Sequence, residues 1–151
     1  MNINTLSIVP YKGIGDICFN MSYCEVKDYL KKNGIQYTVD VKENKGCDPE
    51  VPWKIIRIGT DISIFFAKEK MFKICLEENY SGSLENGICI GTSMSKAQEI
   101  DPSLVYEDFD EYYSSSLGYW IEDDVGSQKV ISITIFIEAL LDEDEFFNYN
   151  W

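Results

Sequence analysis

Apolar residues recur along this chain with two different periods. Between Ser22 and Gly34 the spacing is helical: Tyr23, Val26 and Leu30 share one face, with Lys27, Lys31 and Lys32 on the other positions. Ser22 and Glu25 have the spacing of a capping box, and Asn33-Gly34 supplies a left-handed stop. Lysines in the last turn suit the helix dipole. A helix is therefore predicted over residues 22–33. From residue 36 the period becomes two. Strands are predicted at 36–41 and at 53–58, the second with Ile56 and Ile58 on one face and Ile55 on the other. The polar loop KENKGCDPEVP separates them. Runs at 61–67 and 71–77 flank Lys68-Glu69-Lys70 and read as a hairpin, followed by a loop at 80–86. A second hairpin joins 118–122 to 129–138 across Asp123 to Gln128. Its returning limb opens the continuous apolar run VISITIFIEALL, which predicts a central strand covered on both faces.

A faint internal repeat runs through this pattern. Asp16-Ile17-Cys18-Phe19-Asn20-Met21-Ser22 lies without gaps on Gly87-Ile88-Cys89-Ile90-Gly91-Thr92-Ser93, and Val26 then falls on Ala97. Ile64-Phe65-Phe66 and Lys70 to Ile74 resemble Tyr119-Trp120-Ile121 and Lys129 to Ile133, with a second loop about three residues longer. The expectation is one domain over residues 1–151, with possible half-repeats at 1–84 and 85–151. The expected class is α+β: a common antiparallel sheet with one or two helices packed on one face.

Charge changes the picture more than composition does. The chain is 45% hydrophobic and 14% aromatic, which predicts a folded globule. Its net charge of −13 disfavours direct contact with nucleic acid or anionic membranes. Residues 1–96 hold twelve acids and twelve bases; residues 97–151 hold fourteen acids and one base, Lys129. The last third thus carries the whole excess. Crowding like charges destabilises a compact state, and a basic partner relieves the repulsion. Within that third, Glu107, Asp108, Asp110, Glu111, Glu122, Asp123 and Asp124 lie among Tyr106, Phe109, Tyr112, Tyr113, Tyr119 and Trp120. Some of these rings must be core, and Trp120 beside Ile121 is the candidate. The tail Phe146 to Trp151 reads as docking back onto the body.

Candidate chemistry is sparse. The chain has no histidine, which removes the commonest general base and metal ligand. Five scattered cysteines without a C-x-x-C suit reduced thiols in the cytoplasm. Cys24, in a predicted first helical turn, is the one with any case for activation; Cys18, Cys75 and Cys89 read as core. Gly13-Ile14-Gly15-Asp16 lacks the third glycine and the following helix of a phosphate loop and reads as a turn before a strand. The acidic runs lack a calcium-loop pattern. No catalytic residues, metal or cofactor are assigned. No apolar run is long enough for a signal peptide or a membrane span.

The opening Gly13 to Ser22, running into Glu25-Val26 and Leu30, resembles that of immunity proteins of bacterial polymorphic and contact-dependent growth-inhibition toxin systems. A similar half-unit recurs in tandem in β-lactamase-inhibitor-like and small outer-membrane-assembly lipoprotein folds. Phe19-Asn20 stands where Leu-Gly is more usual, and the lack of a cysteine near the N-terminus points away from the lipoprotein branch. The resemblance implies a non-enzymatic cytoplasmic inhibitor of a cognate, basic, nuclease-type toxin domain. Glu107, Asp108, Asp110, Glu111, Glu122, Asp123 and Asp124 are then expected to meet its cations, with Tyr112, Tyr113 and Tyr119 as anchors. The alternatives are a small-ligand-binding or regulatory domain, with an apolar pocket between sheet and helices, and a carboxylate-based enzyme.

Overall fold

The computed structural model describes residues 2–43 and 52–149. Most of the loop between the first two predicted strands, and Asn150 and Trp151 of the tail, lie outside the described residues. The chain opens with a 3-10 turn (Ile3–Thr5) and a small antiparallel sheet of β1 (Ile8–Val9), β2 (Gly13–Ile14) and β3 (Ile17–Cys18). Helix α1 (Tyr23–Lys32) follows, then β4 (Thr38–Lys42), β5 (Trp53–Ile58), β6 (Ile62–Ala67) and β7 (Lys70–Glu77). Helix α2 (Met94–Ile100) leads into β8 (Val105–Glu107), β9 (Tyr112–Ser115), β10 (Tyr119–Asp123) and β11 (Val130–Phe136). A 3-10 turn (Glu138–Leu141) and α3 (Glu143–Phe147) close the described chain. The expected central strand therefore stops at Phe136.

The second sheet has eight antiparallel strands in the order β4-β5-β6-β7-β11-β10-β9-β8. The fold is α+β. One face of the sheet packs under the helices. Ile56, Ile58, Ile62, Ile64, Ile74, Leu76, Ile121, Ile133 and Ile135 join Val26 and Leu30 of α1 and Met94 and Ala97 of α2 in one buried cluster. Tyr23 of α1 sets its ring edge-on to Phe66, centroids 5.3 Å apart. The helix starts as its sequence requires: the Ser22 hydroxyl accepts from Glu25 N at 3.2 Å, and the Glu25 carboxylate accepts from Ser22 N at 2.7 Å.

The two halves use the same local construction. Ser93 caps α2 as Ser22 caps α1, accepting from Lys96 N at 3.2 Å. Tyr23 N donates to Glu69 O at 2.9 Å and Met94 N to Gln128 O at 2.8 Å. Ser22 bridges to Lys70 and Ser93 to Lys129. Val26 and Ala97 are both fully buried. Each central hairpin carries an irregularity at the corresponding place, between Phe65 and Phe66 and between Glu122 and Asp123. It leaves Phe72 and Ile131 as extra residues. At the middle of the sheet Ile74 faces Ile135, Cys75 faces Thr134 and Leu76 faces Ile133. Matching the two hairpins pair by pair makes Cys75 the counterpart of Thr134, so the pairing pattern has a local two-fold axis centred on that pair. The alignment read from sequence holds for the returning limb, Lys70 to Ile74 on Lys129 to Ile133, but is out by two residues in the outgoing one. Ile62 and Ile64, not Ile64 and Phe66, take the places of Tyr119 and Ile121. The second turn, residues 124–129 against 67–70, is longer by two residues where about three were expected.

Gly13 and Gly15 serve this folding rather than a ligand. Gly13 has φ +145°, and a Cβ there would lie 2.0 Å from the Ile17 carbonyl oxygen. Gly13 itself is in a strand, and Gly15-Asp16 make the turn.

Candidate functional site

The register sorts the acidic third by position. In antiparallel ladders direct partners share a face, so Glu77, Ser132 and Glu122 form a row across β7, β11 and β10, which Tyr112 and Glu107 of β9 and β8 continue one residue beyond the last β10–β9 pair, Ile121–Tyr113. They lie on the face away from α1 and α2. The turns 108–111 and 124–129 and the end of β7 all sit at this same end of the sheet. Glu107, Asp108, Asp110, Glu111, Glu122 and Asp124 are exposed, and Asp123 is half-buried. Among the described residues none of these, nor Glu77, forms an ion pair; the pairs are Lys54–Glu69, Arg57–Asp40 and Lys96–Glu99. Exposed Lys129 neutralises none of them by direct contact.

Each predicted site residue has a definite place. The Glu107 carboxylate accepts from the Ser114 hydroxyl at 2.9 Å. Asp124 ties its own turn, accepting from Ser127 N at 2.9 Å, and these bonds hold its carboxyl below the usual range. Burial, then Glu77 and Glu111, raises the Glu122 carboxyl. Tyr112 stacks on Trp120 at 4.6 Å and 21°, and Trp120 leans on Phe136 at 4.3 Å. Partial burial and the nearby Asp110 and Glu107 carboxylates push the Tyr112 hydroxyl up to about 12. Tyr113 is on the helix side, 5.1 Å from the Tyr106 ring, so it does not share a face with Tyr112.

Two aromatic assignments are reversed. Tyr119, expected as an anchor, is 1% exposed, whereas Trp120, expected in the core, is half-exposed on the open face. The cause is strand phase: Ile121 must face the helices with Ile133, which puts Tyr119 inside and Trp120 outside. The Tyr119 hydroxyl donates to Asp101 Oδ2 at 2.5 Å, and burial plus that bond pushes it up to about 12. Asp101 is 3% exposed yet held below the usual carboxylate range: burial opposes this, but bonds from Ser103, Ser115 and Tyr119 outweigh it. The acid that the fold buries is therefore held as an anion.

Sequence reasoning assigned no role to several residues at this end. Phe109 is 97% exposed at the tip of the 108–111 turn, and Val125 is 88% exposed on the neighbouring turn. Ile131 is 45% exposed beside Ser132. Ser132 itself is 3% exposed, and among the described residues its hydroxyl has no hydrogen-bond partner. An unmet buried hydroxyl costs about 1–3 kcal/mol. Glu77, outside the acidic third in sequence, joins it through the β7–β11 ladder.

The cysteines are less buried than their apolar neighbours suggest. Cys18 and Cys89 are half-buried, Cys24 is exposed, and Cys75 lies on the open face with its thiol raised by burial. Among the described residues no group of three or more Cys, Asp or Glu is arranged to hold a metal ion, and no helix is long and apolar enough to cross a membrane. A cleft of about 300 Å³ lies beside Tyr119, lined by Val9, Pro10, Leu84, Asn86 and Leu117. No protein-family model, curated protein or solved structure matches this chain.

Proposed function

We propose that this chain is a non-enzymatic inhibitor of the immunity type, which binds a basic, nuclease-type toxin domain in the cytoplasm through the acidic end of its large sheet. One observation carries the reading. Phe109, nearly fully exposed, stands at the end of the sheet that gathers seven of the last third's fourteen acids, none of them in an ion pair among the described residues. An exposed aromatic at such a place is suited to anchor a partner, and the surrounding field steers a cationic one. The experiment is co-expression with the product of the gene directly upstream, followed by association kinetics over a range of salt. Reversing both Asp123 and Asp124 to Lys is expected to slow association about tenfold at low salt and to flatten its salt dependence. Unchanged kinetics would refute docking at this end. A second reading, a small-ligand-binding domain, rests on the cleft beside Tyr119 and predicts a ligand-dependent rise in Tm with no basic protein partner.

A further inference from the structure

We infer that the open face of the sheet holds a seat for one lysine side chain of a basic protein partner, formed by Glu77, Glu122 and the Ser132 hydroxyl. The inference rests on the cationic partner proposed above and gives that partner a point of attachment. Ser132 is the direct ladder partner of Glu77 on one side and of Glu122 on the other. Its hydroxyl is buried without a hydrogen bond, whereas Thr134, two residues on along the same face, reaches Cys75 Sγ at 3.5 Å. Neither carboxylate meets a cation among the described residues.

The local two-fold axis shows what this position holds in the other half. The counterpart of Ser132 is Lys73, flanked in its ladders by Phe65 and Phe136. Lys73 Nζ lies 4.3 Å from the Phe65 ring centre. The first half therefore places its own ammonium over the corresponding part of the sheet. The second half has a short hydroxyl there, and a carboxylate in place of each flanking ring. An ammonium carries three donors. Two carboxylates and a serine hydroxyl offer an acceptor group to each, and the Trp120 ring beside Glu122 gives the lysine stem an apolar wall.

The test uses the full chain with pentalysine as probe and its Nε-acetylated form as control, read by amide chemical shifts. The first amides to move with pentalysine are expected to be those of Glu77, Glu122 and Ser132, with none moving with the acetylated form. The double variant Glu77→Gln/Glu122→Gln is expected to weaken binding at least tenfold, and Asp123→Asn/Asp124→Asn less than threefold. Ser132→Ala is expected to weaken binding about threefold while raising Tm, a combination that a purely structural hydroxyl would not give. Equal weakening by both double variants would overturn the seat and leave the cationic partner intact. Magnesium displacing pentalysine from the same amides would overturn lysine as the occupant. Absence of binding by pentalysine and by the upstream gene product alike would overturn both proposals.

Discussion

Replacing Asp101 with Asn tests whether the buried anion holds α2 to the second half of the sheet. Asp101 follows α2 and accepts from Ser103 N at 3.0 Å, Ser103 Oγ at 2.6 Å, Ser115 Oγ at 2.5 Å and Tyr119 Oη at 2.5 Å. Bonds to a charged group contribute about 1.5–3 kcal/mol each, and neutral ones about 0.5–1.5. Asn keeps one acceptor oxygen but turns an NH₂ group towards hydroxyls that now donate. Those hydroxyls can rotate to accept, so each bond weakens by about 1 kcal/mol and none is left empty. Relief from burying a charge offsets part of the sum. The expected net loss is about 2–3 kcal/mol, or roughly 5–10 °C in Tm for a chain of this size. The pH dependence has a definite sign. The folded carboxyl titrates below its unfolded value of about 3.9, so its stabilisation is complete above that value and is lost as pH falls through the lower folded one. Urea melts at pH 7 and at pH 3 are the assay. The gap between wild type and variant should be widest at pH 7 and narrower at pH 3. A variant within 0.5 kcal/mol of wild type at pH 7, or a gap equally wide at both, would refute the account.

Three further outcomes follow from single contacts. Ser93→Ala should cost about 1 kcal/mol in a urea melt through loss of the α2 cap, and Ser22→Ala at least as much, because its capping box is reciprocal. Gly118→Ala should cost about 2–4 kcal/mol, since φ is +97° and the added Cβ would meet Tyr11 Cζ at 2.4 Å. Tyr11→Ala in the same chain should recover the steric part, and a double-mutant cycle would measure it. Phe109→Ala should leave stability within about 0.5 kcal/mol but weaken binding of the upstream gene product by about 30-fold, as for an anchor worth 2 kcal/mol.

The parts of the fold legible in the sequence are those that local chemistry determines. The capping box at Ser22, the hairpin turn at Lys68-Glu69 and the apolar run that opens at Val130 are each signalled within a dozen residues. Strand phase is not local. Nothing around Tyr119-Trp120-Ile121 says which of the three faces the helices; that is decided by Ile133 and Ile135 across the ladder and by Asp101, which waits beneath Tyr119. The acidic end was legible as composition but not as geometry. Glu77 comes 45 residues before Glu122 and belongs to the charge-balanced part of the chain. Only the pairing of β7 with β11 brings it beside Ser132. Phe109 and Val125 were equally hidden, because exposure of an apolar side chain at a turn tip leaves no pattern in the flanking sequence.

The near-symmetry of the sheet separates what the fold requires from what it merely tolerates. Corresponding positions build the same register in both halves with different chemistry. Asp40 and Arg57 form an ion pair where Glu107 meets Ser114. Phe65 and Lys73 occupy the places of Glu122 and Ser132. Phe72 lies under Phe146 at 5.7 Å, whereas its counterpart Ile131 is left open. The first half shows that this backbone forms with cations paired to their acids and with aromatics covering the face. Carboxylates at the second-half positions are therefore not demanded by the geometry. They add repulsion, seen in the raised Glu122 carboxyl, and they leave a buried hydroxyl unmet. The first half has an unmet buried group of its own, Trp53 Nε1, so what sets the second half's end apart is its carboxylates without an ion pair. A positively charged partner is the one that would turn the repulsion into attraction.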